Sequence, residues 1–146
     1  MNRSLAIAAA LSIAAPVASQ PLPGPIQATV VRVVDGDTLV VDAAVWPKIV
    51  VNGISVRVHG IDTPERRGAC EHEKQLAESA KLMMSDLFPA GASVELLNVQ
   101  EGKFAGRVLA DVRSELTGDW AKQIVRAGLA VSYFGSGAKE DWCANG

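Results

Sequence analysis

A chain of 146 residues with 49% hydrophobic and 21% charged side chains can bury one core but is short for two. Lys plus Arg number 14 against 16 Asp plus Glu, and the resulting formal charge of −2 excludes a polybasic protein that grips phosphate backbones by bulk charge. Two cysteines and two histidines exclude a disulfide-dense miniature scaffold and would make any zinc centre depend on both histidines.

The first segment reads as an address. Arg3 precedes an apolar run from Leu5 to Ala15 interrupted only by Ser12, and Pro16 and the small-residue step Val17-Ala18-Ser19 follow. This is the layout of a secretory signal peptide over residues 1–19, cleaved after Ser19. The run falls well short of the roughly 20 apolar residues that span a bilayer. An uncleaved anchor is the alternative. An exported protein, periplasmic or extracellular, is expected, with no stable membrane association after cleavage. Residues 20–27 (QPLPGPIQ) read as an extended linker, and residues 28–146 as the folded domain.

From Ala28 the pattern is that of strands. ATVVRVV and TLVVDAAV flank the turn Asp35-Gly36-Asp37, and IVV and ISVRVHGI flank Asn52-Gly53, a hairpin signal. Trp46-Pro47 predicts a bulge or edge loop. Cys70 to Phe88 predicts a helix: Leu76, Ala80, Met83, Met84 and Leu87 recur at three- and four-residue steps, Glu71 and Glu73 lie in the first turn, and Pro89 and Gly91 end it. Strands SVELLNV and GRVLADVR follow, and then a short helix from Asp119 that Gly128 terminates. The order β-β-β-α-β-β-α predicts an α+β domain built on a five-stranded OB-type barrel, with an open α+β sandwich as the alternative. In an oxidising compartment Cys70 and Cys143 are expected to pair, closing a 73-residue span; two separate buried thiols are the other reading.

Three polar clusters lie where strands finish: Asp35-Gly36-Asp37-Thr38, the run from Arg57 to Glu65 (RVHGIDTPE), and Gly106-Arg107. Each has a plain structural explanation, the first as a β-turn. Together they hold the parts for metal-assisted cleavage of a phosphodiester. Asp37 and Asp62 offer hard oxygen ligands of the kind Ca²⁺ takes. Glu65, beyond a stiff Thr63-Pro64 step, is placed to take a proton from water. Arg57 and Arg107 supply planar donors for phosphate oxygens. His59 reads as structural.

The runs VVDGDTLVV, VRVHGIDTPE, GRVLADV and IVRAGLA resemble, in order and spacing, the thermonuclease (staphylococcal nuclease-like) family over residues 28–131. The resemblance implies a five-stranded OB barrel with about three helices and Ca²⁺-dependent endonuclease action on DNA and RNA that leaves 3′-phosphate ends. It implies Asp37, Asp62 and the Thr63 carbonyl as metal ligands, Glu65 as general base, Arg57 and Arg107 on the phosphate, and Asp35 in support. The family's Asp-Lys-Tyr before Gly106 is replaced here by Gly102-Lys103-Phe104, without the carboxylate and the phenol. Tyr133 or Phe134 either stacks on a base or packs on the barrel. A monomer is expected. A non-catalytic OB-fold module that binds nucleic acid or protein, and an accessory protein for acidic polysaccharide, are the competing functions.

Overall fold

The computed structural model describes residues 19–46 and 49–144, so the proposed signal segment, apart from Ser19, lies outside the described residues, as does Pro47 of the expected loop. Strand β1 (Ile26–Asp35) turns at Gly36-Asp37 into β2 (Thr38–Trp46), which pairs antiparallel with β3 (Ile49–Val58). A short β4 (Ile61–Asp62) leads to helix α1 (Glu71–Leu87). Then come β5 (Ser93–Glu101), β6 (Arg107–Ser114), β7 (Gly118–Asp119), helix α2 (Trp120–Arg126) and β8 (Val131–Ser132).

The sheet order β3-β2-β1-β5-β6 closes on itself because β3 also pairs with β6 in parallel, Ser55 opposite Arg107 and Val58 opposite Ala110. That is the closed five-stranded barrel expected. Inward-facing Leu39, Val41, Val56, Val58, Val94, Leu96, Ala110 and Val112 alternate with outward residues, as a half-buried pleat requires. One end is plugged by Met84 of α1 and Phe88 at its C-cap against Trp120 and Ile124 of α2, with the Phe88 and Trp120 ring centroids 4.7 Å apart.

Three expectations are corrected. The described residues contain two helices rather than three: after Gly128 the chain has no apolar period of 3.6, and Gly135 and Gly137 take positive φ. Asn52-Gly53 is not a hairpin turn. β3 runs through it as one strand, with an extra residue between the pairs Val41↔Ile54 and Ala43↔Val51, Gly53 at φ 70°, and the Gly53 N–H donating to Asp42 Oδ1 at 2.8 Å. An Asn-Gly step in an alternating run serves a glycine-type bulge as well as a turn. The hairpin closes instead between Trp46 and Ile49. The segment 20–27 is not wholly free either. Ile26 and Gln27 already pair with β5, and Leu22 exchanges backbone hydrogen bonds with Val99.

Both helix starts follow from their caps. The Asp119 carboxylate accepts from Lys122 N–H at 2.9 Å, and Cys70 Sγ accepts from Glu73 N–H at 3.4 Å. Cys70 and Cys143 form a disulfide, which ties the chain's tail to the first turn of α1.

Candidate active site

The β1–β2 turn and the end of β3 meet at one rim of the barrel. Thr38 pairs with Arg57, and the Asp37 carbonyl accepts from Val58 N–H at 2.8 Å, so turn and strand are locked side by side. Gly36 permits the approach. A Cβ there would lie 2.9 Å from Ala80 Cβ and 3.0 Å from Ile124 Cδ1, and its carbonyl accepts from the Trp120 indole at 2.8 Å. The turn thus rests directly on both helices. Past Val58, a tight turn at Gly60 (φ 81°) sends the chain back through β4, which delivers Asp62, Thr63 and Glu65 to the same rim.

Asp37 and Asp62 are 4% and 2% exposed, and Thr63 is buried with them. One Asp37 oxygen accepts from Thr38 Oγ1 at 2.8 Å. The other accepts from Thr63 Oγ1 at 3.0 Å and from Arg57 Nη1 at 2.8 Å. The other end of the Arg57 fork, Nη2, lies 3.9 Å from Asp62 Oδ1 and donates to the Ile61 carbonyl at 3.5 Å. A single guanidinium therefore spans both buried aspartates. Burial pushes the Asp37 carboxyl up to about 6, with Arg57 pulling the other way and Asp35 adding to the rise. Asp35 accepts from Asp37 N–H at 3.2 Å and lines the same cleft, which has a volume of about 300 Å³.

Glu65 stands at the mouth of this cleft. Its backbone N–H donates to Glu73 Oε1 at 3.2 Å, and Glu73 also accepts from Ala69 N–H at 2.9 Å. Glu73 continues the buried stripe Ala77, Ala80, Met84 of α1 by one turn, so a charged residue on the core face of a helix was the sequence's clue to it. The role it plays, holding the loop that carries Glu65, needs the fold to be seen. Lys139 was not anticipated either: its Nζ lies 3.0 Å from Asp62 Oδ1 and 3.3 Å from Glu65 Oε1. The Asp62 carboxylate, foremost among these contacts, holds the Lys139 ammonium above its ordinary range. Arg66 and Arg67 complete the lining.

Arg107 does not line the cleft. Its guanidinium carbon lies 4.7 Å from the centroid of the Phe104 ring, a cation–π contact. It stands opposite Ser55 on the neighbouring strand and thus on the same sheet face as Arg57, one diagonal step away. The Gly102 departure has a local cause. A Cβ there would lie 2.3 Å from the Arg107 carbonyl oxygen, which accepts from Gly102 N–H at 3.0 Å.

Tyr133 and Phe134 line an adjoining hollow of about 280 Å³ that shares Arg57 with the cleft. Phe134 packs over Gly60 and edge-on to His59, yet remains 72% exposed. His59 lies 3.7 Å from Asp111, which keeps it outside the carboxylate cluster. A larger hollow of about 740 Å³ lies beside β5 and the end of α1, where Arg113 is already paired with Glu95 at 2.6 Å.

The donor set of the cleft suits a hard cation: every ligand atom on offer is oxygen, and two carboxylates are buried with their counter-charge shared through one guanidinium. Among the described residues no three of these carboxylates bring oxygens within 4.8 Å of one another, so a cation here would keep water in its shell. The group Cys70, Glu73 and Cys143 does lie that close, but its sulfurs are spent in the disulfide.

No curated protein matches the chain. The profile of the family described as staphylococcal nuclease homologue matches residues 55–142, which hold Arg57, Asp62, Glu65, Arg107 and Lys139; β1 and β2, with Asp35 and Asp37, precede the match. With more than half of its length matched and a closed five-stranded barrel to carry the site, this chain belongs to the staphylococcal nuclease homologue family.

Proposed function

We propose that the chain is an exported, Ca²⁺-dependent endonuclease that hydrolyses phosphodiester bonds of DNA and RNA, leaves 3′-phosphate ends and works as a monomer. The observation that carries the reading is the convergence of Asp37, Arg57, Asp62 and Glu65 on one cleft. Asp37, Asp62 and the Thr63 carbonyl would hold the divalent ion, which when bound supplies positive charge beside the phosphate.

The remaining steps belong to the chain's own side chains. Glu65, exposed at the mouth, takes a proton from a water as its oxygen attacks phosphorus; the P–O5′ bond breaks, and the 5′ oxygen leaves as a hydroxyl after gaining a proton. Arg57 presents a planar fork to the non-bridging oxygens and stabilises the extra charge that develops on them. Arg107, once it leaves Phe104, reaches the same phosphate from the neighbouring strand. Asp35 keeps the turn of Asp37 in shape through the hydrogen bond to its N–H. Phe134, exposed beside Arg57, offers a face for a base. Export rests on the segment Arg3 to Ser19.

The test is digestion of single-stranded DNA and of RNA by the mature protein, with Ca²⁺ and then with excess chelator. Glu65→Gln is the decisive variant, because the side chain is exposed and its removal leaves no buried charge behind. A loss of about 10²–10⁴-fold in turnover is expected, with no activity in chelator. Unchanged cleavage by the variant would remove Glu65 from the mechanism, and cleavage in chelator would remove the metal. Binding of nucleic acid without any cleavage would favour a binding module.

A further inference from the structure

The segment that carries Lys139 has little else to hold it. The last strand ends at Ser132, Tyr133 N–H donates to the Gly60 carbonyl at 2.9 Å, and residues 134–141 are exposed. Ten residues further on, the Cys70–Cys143 disulfide fastens the tail to the start of α1. Between these two attachments the chain loops over the cleft and lowers one ammonium into it, against Asp62 Oδ1 and Glu65 Oε1.

An ammonium has three donors and one charge, and needs oxygen acceptors as a metal ion does. Asp62 Oδ1 is only 3.9 Å from Arg57 Nη2, so the oxygen that faces Lys139 already faces a second cation. A divalent ion at the same carboxylate would stand within a few ångströms of the ammonium. At such separations like charges repel by kilocalories even at a surface-like dielectric. Lysine and metal ion therefore exclude one another from this position.

We propose that Lys139 is the cleft's tethered counter-cation: it neutralises Asp62 and Glu65 in the metal-free protein and must withdraw for a divalent ion to bind, so that it sets the protein's affinity for that ion. The inference rests on the metal reading of the cleft given above. The disulfide keeps the lysine at high effective concentration, which an untethered tail would not. Lys139 is a positioning residue in this scheme, acting through Asp62 and Glu65 rather than on the phosphate.

An ordinary surface ion pair would add little to stability and would not touch metal affinity. Calorimetric titration of Ca²⁺ into the oxidised mature protein separates the two. K139Q is expected to bind Ca²⁺ about tenfold more tightly than the parent, and K139R, which keeps the charge, to bind as the parent does. Saturating Ca²⁺ should also raise the thermal midpoint of K139Q more than that of the parent. Detection of binding only in K139Q supports the proposal equally. Equal or weaker affinity in K139Q, with binding measurable in the parent, overturns it and leaves the metal reading standing. Absence of Ca²⁺ binding in all three proteins overturns both.

Discussion

Asp37 shows how one residue's burial becomes a property of the whole protein. Its carboxyl is pushed up to about 6 by loss of water, more than Arg57 pulls it back. An acid raised in the folded state stabilises the fold while it is protonated. That contribution is complete below its ordinary value of 3.8 and is lost as pH climbs through about 6. In chelator, the parent should therefore lose stability relative to Asp37→Asn between pH 4 and pH 7, by on the order of 2 kcal/mol. Urea denaturation of both proteins at several pH values measures the gap, and a gap independent of pH would show that Asp37 is ionised throughout. At this scale the sequence was informative where the chain folds back locally. Asp37, Arg57, Asp62, Thr63 and Glu65 sit in turns or at the ends of strands that the alternation pattern marks. Lys139 is not legible in the sequence: the Cys70–Cys143 pairing is expected there, but nothing in the composition of residues 134–141 says that this exposed loop crosses the cleft and sets its one lysine against Asp62 and Glu65. Arg107 is read from the sequence as a phosphate donor at the start of a strand, and nothing in the spacing says that Phe104 holds its guanidinium outside the cleft.

Among the elements, the β1–β2 turn bears the most weight, since it joins barrel, α1 and α2 at Gly36. A methyl group there would press on Ala80, Ile124 and Thr63 Cγ2, the last at 3.1 Å. Helices packed against a full core give way poorly. Gly36→Ala should cost about 1–3 kcal/mol in urea unfolding and displace Thr63, and with it the hydroxyl that donates to Asp37. A fully stable Gly36→Ala variant would mean that the helices slide away from the turn without penalty. The Asp-Gly pair reads from sequence as a generic turn, and it is a turn; that its glycine is needed for close packing rather than for a positive φ cannot be read from a dipeptide. The Asn52-Gly53 bulge is the converse case: its glycine does take a positive φ, but the chain does not reverse there as a hairpin signal implies. Strand periodicity fixes which face is buried, whereas reversal depends on which partner residues are offset, and that is a tertiary fact.

Across the whole molecule, the barrel and the tail are held by different forces. The barrel rests on a continuous apolar core from Ala28 to Ala130, whereas residues 134–141 are exposed and are kept in place by the disulfide. Closing a 73-residue span lowers the unfolded chain's entropy by an amount worth about 4 kcal/mol. The folded state responds as well. With Cys70→Ser and Cys143→Ser together, the tail beyond Ser132 is free to fray while the barrel stands, and that new freedom offsets part of what the unfolded chain gains. The double variant should therefore lose distinctly less than about 4 kcal/mol in urea denaturation, and limited proteolysis should nick it first between Phe134 and Cys143→Ser. A loss of the full amount or more, or first cleavage within β1 to β6, would show that the tail's contacts, those of Lys139 included, help to hold the barrel itself.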